Sequence, residues 1–218
     1  MRELEDVLYR LGKVLLAPRE AFDTHIVERY SSALPLALYV GVSFALTALT
    51  VKGFVGLLGR IPLYNIGWLL ELVANLAGVI GVAGGLIDLL IYSSLIHITA
   101  RLMGHEEGRW DDIVGLVAFS SAPLVFPTAL AAVGYLFSHI LLIVSVVLVV
   151  PFSLWSLYLI VVATSVNYEM SLGNAIVASV VGPLLAVIAA IALTSKLGAV
   201  GLVITIVAIS LIYLEGRR

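Results

Sequence analysis

The sequence predicts an all-α polytopic membrane protein, a transmembrane helical bundle of five to six spans with an N-terminal amphipathic helix. Three observations predict this class. Of the 218 residues, 61% are hydrophobic and only 12% are charged, whereas about 25% of the residues in an ordinary soluble domain are charged. Several apolar runs reach the roughly 20 residues that a spanning helix needs. No Asp, Glu, Lys or Arg occurs from Ile113 to Tyr168. Lipid is therefore expected to cover most of the surface.

The N-terminal arm, residues 1–30, is expected to be a cytosolic amphipathic and juxtamembrane segment. Apolar residues recur at helical spacing over residues 2–17, with charged residues between them. They are Leu4, Val7, Leu8, Leu11, Val14 and Leu15. Such a helix is too polar to span, so we expect it to lie on the cytosolic face of the membrane or to pack under the bundle. Pro18 ends it, and residues 19–29 are expected to form a second short helix.

The transmembrane bundle is predicted over residues 31–214. Its spans lie near 31–51, 72–100, 113–136, 140–166, 170–195 and 197–214, and a basic tail follows at 215–218. Lys52 and Arg60 bracket a Gly-rich turn after the first span. The last run, from Leu197 to Leu214, has 18 residues. It is long enough only for a marginal sixth span, so the count stays at five to six.

The distribution of Lys and Arg predicts the orientation, because cytosolic loops carry an excess of these residues. With six spans, nine basic residues fall on one side of the membrane and three on the other. The nine are Arg2, Arg10, Lys13, Arg19, Arg29, Arg101, Arg109, Arg217 and Arg218, and the three are Lys52, Arg60 and Lys196. We expect a multi-pass protein of the cell membrane with both termini in the cytosol. The C-terminal Arg pair favours six spans over five.

Composition and motifs argue against several classes of function. The chain contains no cysteine, which excludes disulfides, thiolate metal sites and thiol nucleophiles. A formal net charge of -2 argues against nucleic-acid binding, which needs a concentrated basic face. No Ser–His–Asp arrangement, nucleotide-binding loop or zinc signature occurs. We therefore expect no enzymatic activity and no cofactor.

Asp88 is the candidate intramembrane polar site. A carboxylate near the middle of a span costs about 2.5–3.5 kcal/mol on insertion scales and is a functional candidate by default. Gly81, Gly84 and Gly85 precede it at helical spacing, so it shares a face with a candidate helix-packing strip that lets another helix approach closely. Two interpretations stay open. Asp88 is either a neutral, hydrogen-bonded packing residue or part of a path for an ion, a proton or a substrate.

The loop after the second span is a weak metal-binding candidate. It concentrates an imidazole and carboxylates at His105, Glu106, Glu107, Asp111 and Asp112. Their spacing matches neither His-Glu-x-x-His nor a calcium loop. We therefore predict no metal site, and favour a solvated turn in which Asp111 or Asp112 caps the next helix.

Four prolines fall inside predicted spans and are candidate helix kinks, because proline removes a backbone donor. They are Pro123, Pro127, Pro151 and Pro183. Broken helices can line transport sites. Packing is the favoured interpretation, since the hydroxyls of Ser120, Ser121 and Thr128 could satisfy the freed carbonyls.

Three segments taken together resemble the Yip membrane-domain family, the Ypt/Rab-interacting proteins and their prokaryotic relatives. The first is Leu15-Leu16-Ala17-Pro18-Arg19-Glu20-Ala21-Phe22, a leucine pair before a proline with a phenylalanine four residues beyond it. The second runs from His97 to Ala122-Pro123, with a turn at Gly104 and an acidic loop. The third is Trp155 followed by Asn167-Tyr168-Glu169-Met170-Ser171 and Ala175. The resemblance covers roughly residues 10–195.

This resemblance implies a five-span bundle with a cytosolic N-terminus. Eukaryotic members act in vesicle trafficking by binding prenylated small GTPases or shaping membranes. The chain lacks their acidic, Gly-Pro-containing cytosolic motif and has a short arm, which points to the prokaryotic branch and argues against GTPase binding. We expect a non-enzymatic scaffold or organiser that contacts membrane lipids and binds partner proteins or forms a homo-oligomer. The alternative is a small transporter or channel with Asp88 in its pathway.

Overall fold

The computed structural model describes residues 2–28, 33–58, 67–137, 139–197 and 207. Every regular element in these ranges is a helix, which confirms the all-α class. The helices are α1 (Arg2–Leu16), α2 (Pro18–Glu28), α3 (Ala33–Leu58), α4 (Gly67–Leu102), α5 (Trp110–Phe119), α6 (Val125–Phe137), α7 (His139–Asn167), α8 (Leu172–Ile176) and α9 (Gly182–Leu197). A 3-10 turn at Ala122–Leu124 joins α5 to α6, and a π-helical turn at Val177–Val181 joins α8 to α9.

Four helical stretches are long and apolar enough to cross a membrane, which confirms the predicted membrane class. They are Leu76–Leu102, Trp110–Gly134, Ile143–Asn167 and Leu172–Ala192. A shorter apolar stretch, Pro35–Leu49, lies within α3. The predicted sixth span, 197–214, lies outside the described residues apart from Leu197 and Val207.

The first predicted span and the turn after it differ from the structure. Helix α3 continues beyond residue 51 to Leu58, so Lys52 lies within the helix and not at a turn. Lysine has a high intrinsic helix propensity. The basic side chain alone was therefore a poor marker of the helix end.

The four intramembrane prolines occupy different kinds of site. Pro123 lies in the 3-10 turn that divides the third predicted span into α5 and α6. Pro127 is the third residue of α6, in the first turn, where proline is tolerated. Pro151 lies inside α7, which continues through it, and Pro183 follows the π-helical turn. The backbone thus departs from regular α-helix beside Pro123 and Pro183.

The N-terminal arm packs into the bundle through one of two buried apolar clusters. Val14 of α1 and Phe22 of α2 are almost fully buried in a cluster with residues of α5 and α7. The α5 and α7 residues of this cluster include Leu116, Phe119, Leu159, Val162 and Ala163. The Lys13 ammonium lies 3.0 Å from the Glu20 carboxylate and links α1 to α2. The second cluster lies between α4, α5, α7 and the α8 region.

Candidate functional site

Asp88 lies near the middle of the Leu76–Leu102 stretch of α4, and its side chain is exposed. The Tyr39 hydroxyl of α3 donates a hydrogen bond to Asp88 Oδ2 at 3.0 Å. The two residues are 49 positions apart in the sequence. The carboxylate therefore links α3 to α4 from the edge of their contact.

Two of the three predicted packing glycines face α3. A Cβ built on Gly81 would stand 2.6 Å from Thr47 Cβ and 2.8 Å from the backbone oxygen of Ser43. A Cβ on Gly85 would stand 2.6 Å from Ser43 Oγ. Gly84 is exposed, with no atom within 4 Å of its built Cβ among the described residues. It therefore takes no part in the α3 contact.

Gly78 belongs to the same contact, although sequence reasoning missed it. A Cβ on Gly78 would overlap the ring of Phe44. Gly78, Gly81 and Gly85 are spaced by three and four residues, which places them on one face of α4. That spacing was the available signal. Small residues let two helix backbones approach closely in a membrane, so this face together with Asp88 forms the α3–α4 seam.

A second polar cluster lies where α4, the 103–109 loop and the end of α7 meet. His97 Nδ1 and the Tyr168 hydroxyl are 2.7 Å apart, and both residues are buried. The Tyr168 ring packs on Gly108, where any Cβ would overlap it. Asn167 Nδ2 donates to the backbone oxygen of Arg109 at 3.1 Å. We call His97, Gly108, Arg109, Asn167 and Tyr168 the interhelical latch.

The turn between α7 and α8 is fixed by its own hydrogen bonds. Glu169 has a φ of 48°, a left-handed conformation that is uncommon outside glycine. Ser165 Oγ donates to the backbone oxygen of Met170 at 2.7 Å. Ser171 caps α8 by accepting from the Asn174 amide at 3.3 Å. The turn therefore holds Tyr168 at the latch in one orientation.

A hydrogen bond from α4 to the π-helical turn takes the place of a backbone hydrogen bond that a proline removes. Pro183 has no amide hydrogen to donate to the carbonyl of Ser179, four residues before it. The Tyr92 hydroxyl donates to that carbonyl at 2.7 Å. Thr99 fills the space beside Gly182, where a Cβ would collide with it. The irregular backbone is thus satisfied by a neighbouring helix, as expected for a membrane bundle.

The acidic loop does not assemble a metal site within the described residues, which contain no group of three or more His, Cys, Asp or Glu side chains able to hold a metal. His105 Nε2 lies 3.5 Å from Asn174 Nδ2, while Glu106 and Glu107 are exposed. Asp111 and Asp112 lie 3.6 and 3.8 Å from the Arg109 guanidinium.

The predicted cap of α5 by one of these two aspartates is wrong. The N-cap residue is Arg109, and its side chain makes no cap hydrogen bond. The helix begins at Trp110, so Asp111 and Asp112 lie inside its first turn. Carboxylates in the first turn stabilise the helix by interacting with its dipole and not by a capping hydrogen bond.

Removing the Tyr168 hydroxyl should destabilise the latch. Tyr168→Phe leaves His97 Nδ1 buried without its partner, which costs about 1–3 kcal/mol. Thermal unfolding in detergent measures the loss. Tyr158→Phe is the matched control, because the Tyr158 ring is half exposed. Equal melting temperatures for the two variants would contradict the role of the latch.

The same variant should change the alkaline stability. Burial raises the pKa of the Tyr168 phenol above its ordinary value of 10.0. The folded state therefore holds the phenol proton more tightly than the unfolded state does. The contribution of this group to the free energy of unfolding is full below pH 10.0 and is lost as the pH rises further. Tyr168→Phe should lose less stability than the parent over that alkaline range.

These features define a polytopic helical membrane protein whose polar side chains join its helices. The chain belongs to the Yip family, because the family model described as the Yip1 domain matches residues 12–194. Comparisons with curated proteins and with solved structures find no match. The second and third segments that resemble the family in sequence meet at the latch, through His97 and Tyr168.

Proposed function

We propose that this integral membrane protein is a non-enzymatic scaffold or organiser that binds partner proteins or shapes lipid. The observation that carries the proposal is that polar side chains form hydrogen bonds between separate elements of the bundle. The latch, the Tyr39–Asp88 bond and the Tyr92–Ser179 bond each join separate elements of the bundle. A transport path would require polar groups that remain available to a solute.

The hydroxyls of the spanning helices support this proposal, because many of them donate to a backbone carbonyl of their own helix. These donors include Ser94, Thr99, Ser120, Thr128, Thr164 and Ser179. Ser93 of α4 and Ser156 of α7 are buried without a hydrogen-bond partner in the described part of the chain.

A transporter or channel is the second candidate, and Asp88 favours it. An ionisable side chain near the middle of a span marks ion or proton pathways in many membrane proteins. Gly81 and Gly85 on the same helix pack against α3, and the Tyr39 hydroxyl already donates to one carboxylate oxygen of Asp88. These contacts fit a packing role better than a conducting one.

Affinity purification from native membranes, paired with flux measurements, separates the two functions. A scaffold should bring down a stoichiometric protein partner or a second copy of the chain. It should give no ion flux in proteoliposomes. We expect no small GTPase among the partners, since the acidic Gly-Pro motif is absent from the arm. A chain that purifies alone and conducts ions would overturn the proposal.

The proposed orientation places both termini in the cytosol of a cell-membrane protein. Because nine basic residues fall on one side, a reporter fused after Arg218 should be cytosolic and one inserted at Lys196 should not. Protease accessibility in sealed vesicles reads both positions. A C-terminus mapped to the outside would contradict six spans and favour five.

A further inference from the structure

Large apolar side chains are exposed along only part of the two longest helices. On α7 they are exposed from Ile143 to Tyr158, whereas no residue from 159 to 167 is exposed. On α4 the exposed row reaches Ile91, and no residue from 92 to 101 is exposed. The ends of both helices nearest the latch are therefore covered by protein, and the lengths before them are open.

The N-terminal arm covers this end of α7 and brings charges with it. Phe22 packs with Leu159 in the cluster that joins the arm to α5 and α7. The Glu20 side chain, two residues away, is 71% exposed, and Arg19 and Asp23 are exposed as well. Exposed charges of both signs therefore lie at the level where the covered end of α7 begins.

A bilayer centred on the apolar stretch of α7 would place these charges in hydrocarbon. The midpoint of Ile143–Asn167 is Trp155, so Leu159 would lie about 6 Å from the bilayer centre. Charged side chains are costly at that depth. Trp155 and Tyr158 are themselves about half exposed, and exposed Trp and Tyr are enriched at membrane–water interfaces. Both observations favour an interface close to these two aromatic residues.

We propose that the hydrocarbon boundary on the arm side of the bilayer lies at the level of Tyr158 on α7 and Ile91 on α4, and that the exposed charges of the arm contact the lipid headgroups. Measured from Tyr158, a core of about 30 Å takes up roughly 20 residues of helix. It ends at His139, where α7 begins. The latch then lies outside the hydrocarbon, on the arm side.

This placement accounts for the exposure of Asp88. Asp88 precedes Ile91 by three residues, which puts it about 4.5 Å inside the boundary along the helix. A charged side chain is costly at the bilayer centre, and its cost falls toward the interfaces. The carboxylate can therefore stay exposed beside the headgroups while it accepts the Tyr39 hydrogen bond.

Helix α8 fits the same layer. Its Leu172 and Ile176 are exposed, and Asn174 between them lies 3.5 Å from His105 of the loop after α4. A helix at the membrane interface buries its apolar side chains below the headgroups. Exposed apolar side chains at this end of the bundle are therefore compatible with the proposed boundary.

Spin labelling of the full chain tests the boundary, because the sequence contains no cysteine. Single cysteine substitutions are made on one side of α7, at side chains that are at least 50% exposed: Ile143, Val147, Val150, Leu154 and Tyr158. The labelled proteins are reconstituted in phosphatidylcholine bilayers. Power-saturation EPR compares the collisions of each label with oxygen, which concentrates at the bilayer centre, and with a water-soluble nickel complex.

We expect the ratio of oxygen to nickel collisions to be highest at Val147→Cys and Val150→Cys, and lower at Tyr158→Cys than at Ile143→Cys. A bilayer centred on Trp155 gives the opposite order for the last two. Tyr158 would then lie about 4.5 Å from the centre and Ile143 about 18 Å from it. That opposite order would overturn the proposal.

The headgroup contact of the arm is tested by Arg19→Cys in the same bilayers, with Leu154→Cys as the control within the hydrocarbon. Lipids that carry chelated nickel on their headgroups should relax the Arg19→Cys label strongly and the Leu154→Cys label weakly. A ratio of oxygen to nickel collisions at Arg19→Cys as high as that at Leu154→Cys would place the arm in hydrocarbon. A response to soluble nickel but not to lipid-bound nickel would place it in bulk water. Either result would overturn the proposal.

Discussion

Truncation of Phe22 to alanine should release the N-terminal arm from the bundle. Phe22 is 1% exposed and lies in the cluster that joins the arm to α5 and α7. Replacing a buried phenylalanine by alanine costs about 3–5 kcal/mol through lost burial and the cavity left behind. The spanning helices do not depend on this side chain for insertion. We therefore expect the arm to become sensitive to protease while the spans stay in the membrane.

Leu16→Ala is the control for this prediction, because Leu16 lies on the same arm and is 88% exposed. It should leave the protease resistance of the arm unchanged. Limited proteolysis of inside-out membrane vesicles, in which the cytosolic face is accessible, measures both variants, with cleavage mapped by mass spectrometry. An arm that stays protected in Phe22→Ala would show that contacts outside the Phe22 cluster hold it.

Gly81→Ala should separate α3 from α4 along the seam. The added methyl group would stand 2.8 Å from the backbone oxygen of Ser43 and 2.6 Å from Thr47 Cβ. A flexible side chain can turn away from such a contact, but a backbone oxygen moves only with its helix. Overpacking of this kind costs about 1–3 kcal/mol and occasionally more. We expect the destabilisation by Gly81→Ala to lie at the upper end of this range, and therefore expect a clearly lower melting temperature in detergent.

Gly84→Ala is the matched control, three residues along the same helix, with no atom of the described residues within 4 Å of its built Cβ. The two variants have the same change in helix propensity, so their difference reports the contact with α3. Equal melting temperatures would mean that the seam can relax without cost. That result would contradict the close approach of the two helices.

The spans and the arm were predictable because their signals are local. Long apolar runs show where a helix can cross lipid. The 3.6-residue periodicity of residues 2–17 predicted α1 as an amphipathic helix. The helix breaks beside Pro123 and Pro183 were predicted from these two prolines. The sequence did not distinguish them from Pro151, where α7 continues.

The polar contacts were not predictable, because their partners are distant in sequence. Tyr168 and His97 are 71 residues apart, and neither has a periodicity that identifies the other. Hydropathy treats Tyr39 as one more residue of an apolar run and gives no sign of its bond to Asp88. The glycine strip was only partly identified, since the side of α4 that meets α3 depends on packing and not on composition.

The central claim is that polar side chains within the spans hold the bundle together and do not conduct ions. Asp88→Asn tests it most directly, because asparagine can still accept the Tyr39 hydrogen bond but cannot ionise. Proton and cation flux is measured in proteoliposomes of the parent and the variant, and thermal stability is measured in detergent as a check on folding. We predict no flux from either protein and equal melting temperatures. Flux by the parent that disappears in a stably folded Asp88→Asn variant would contradict the claim.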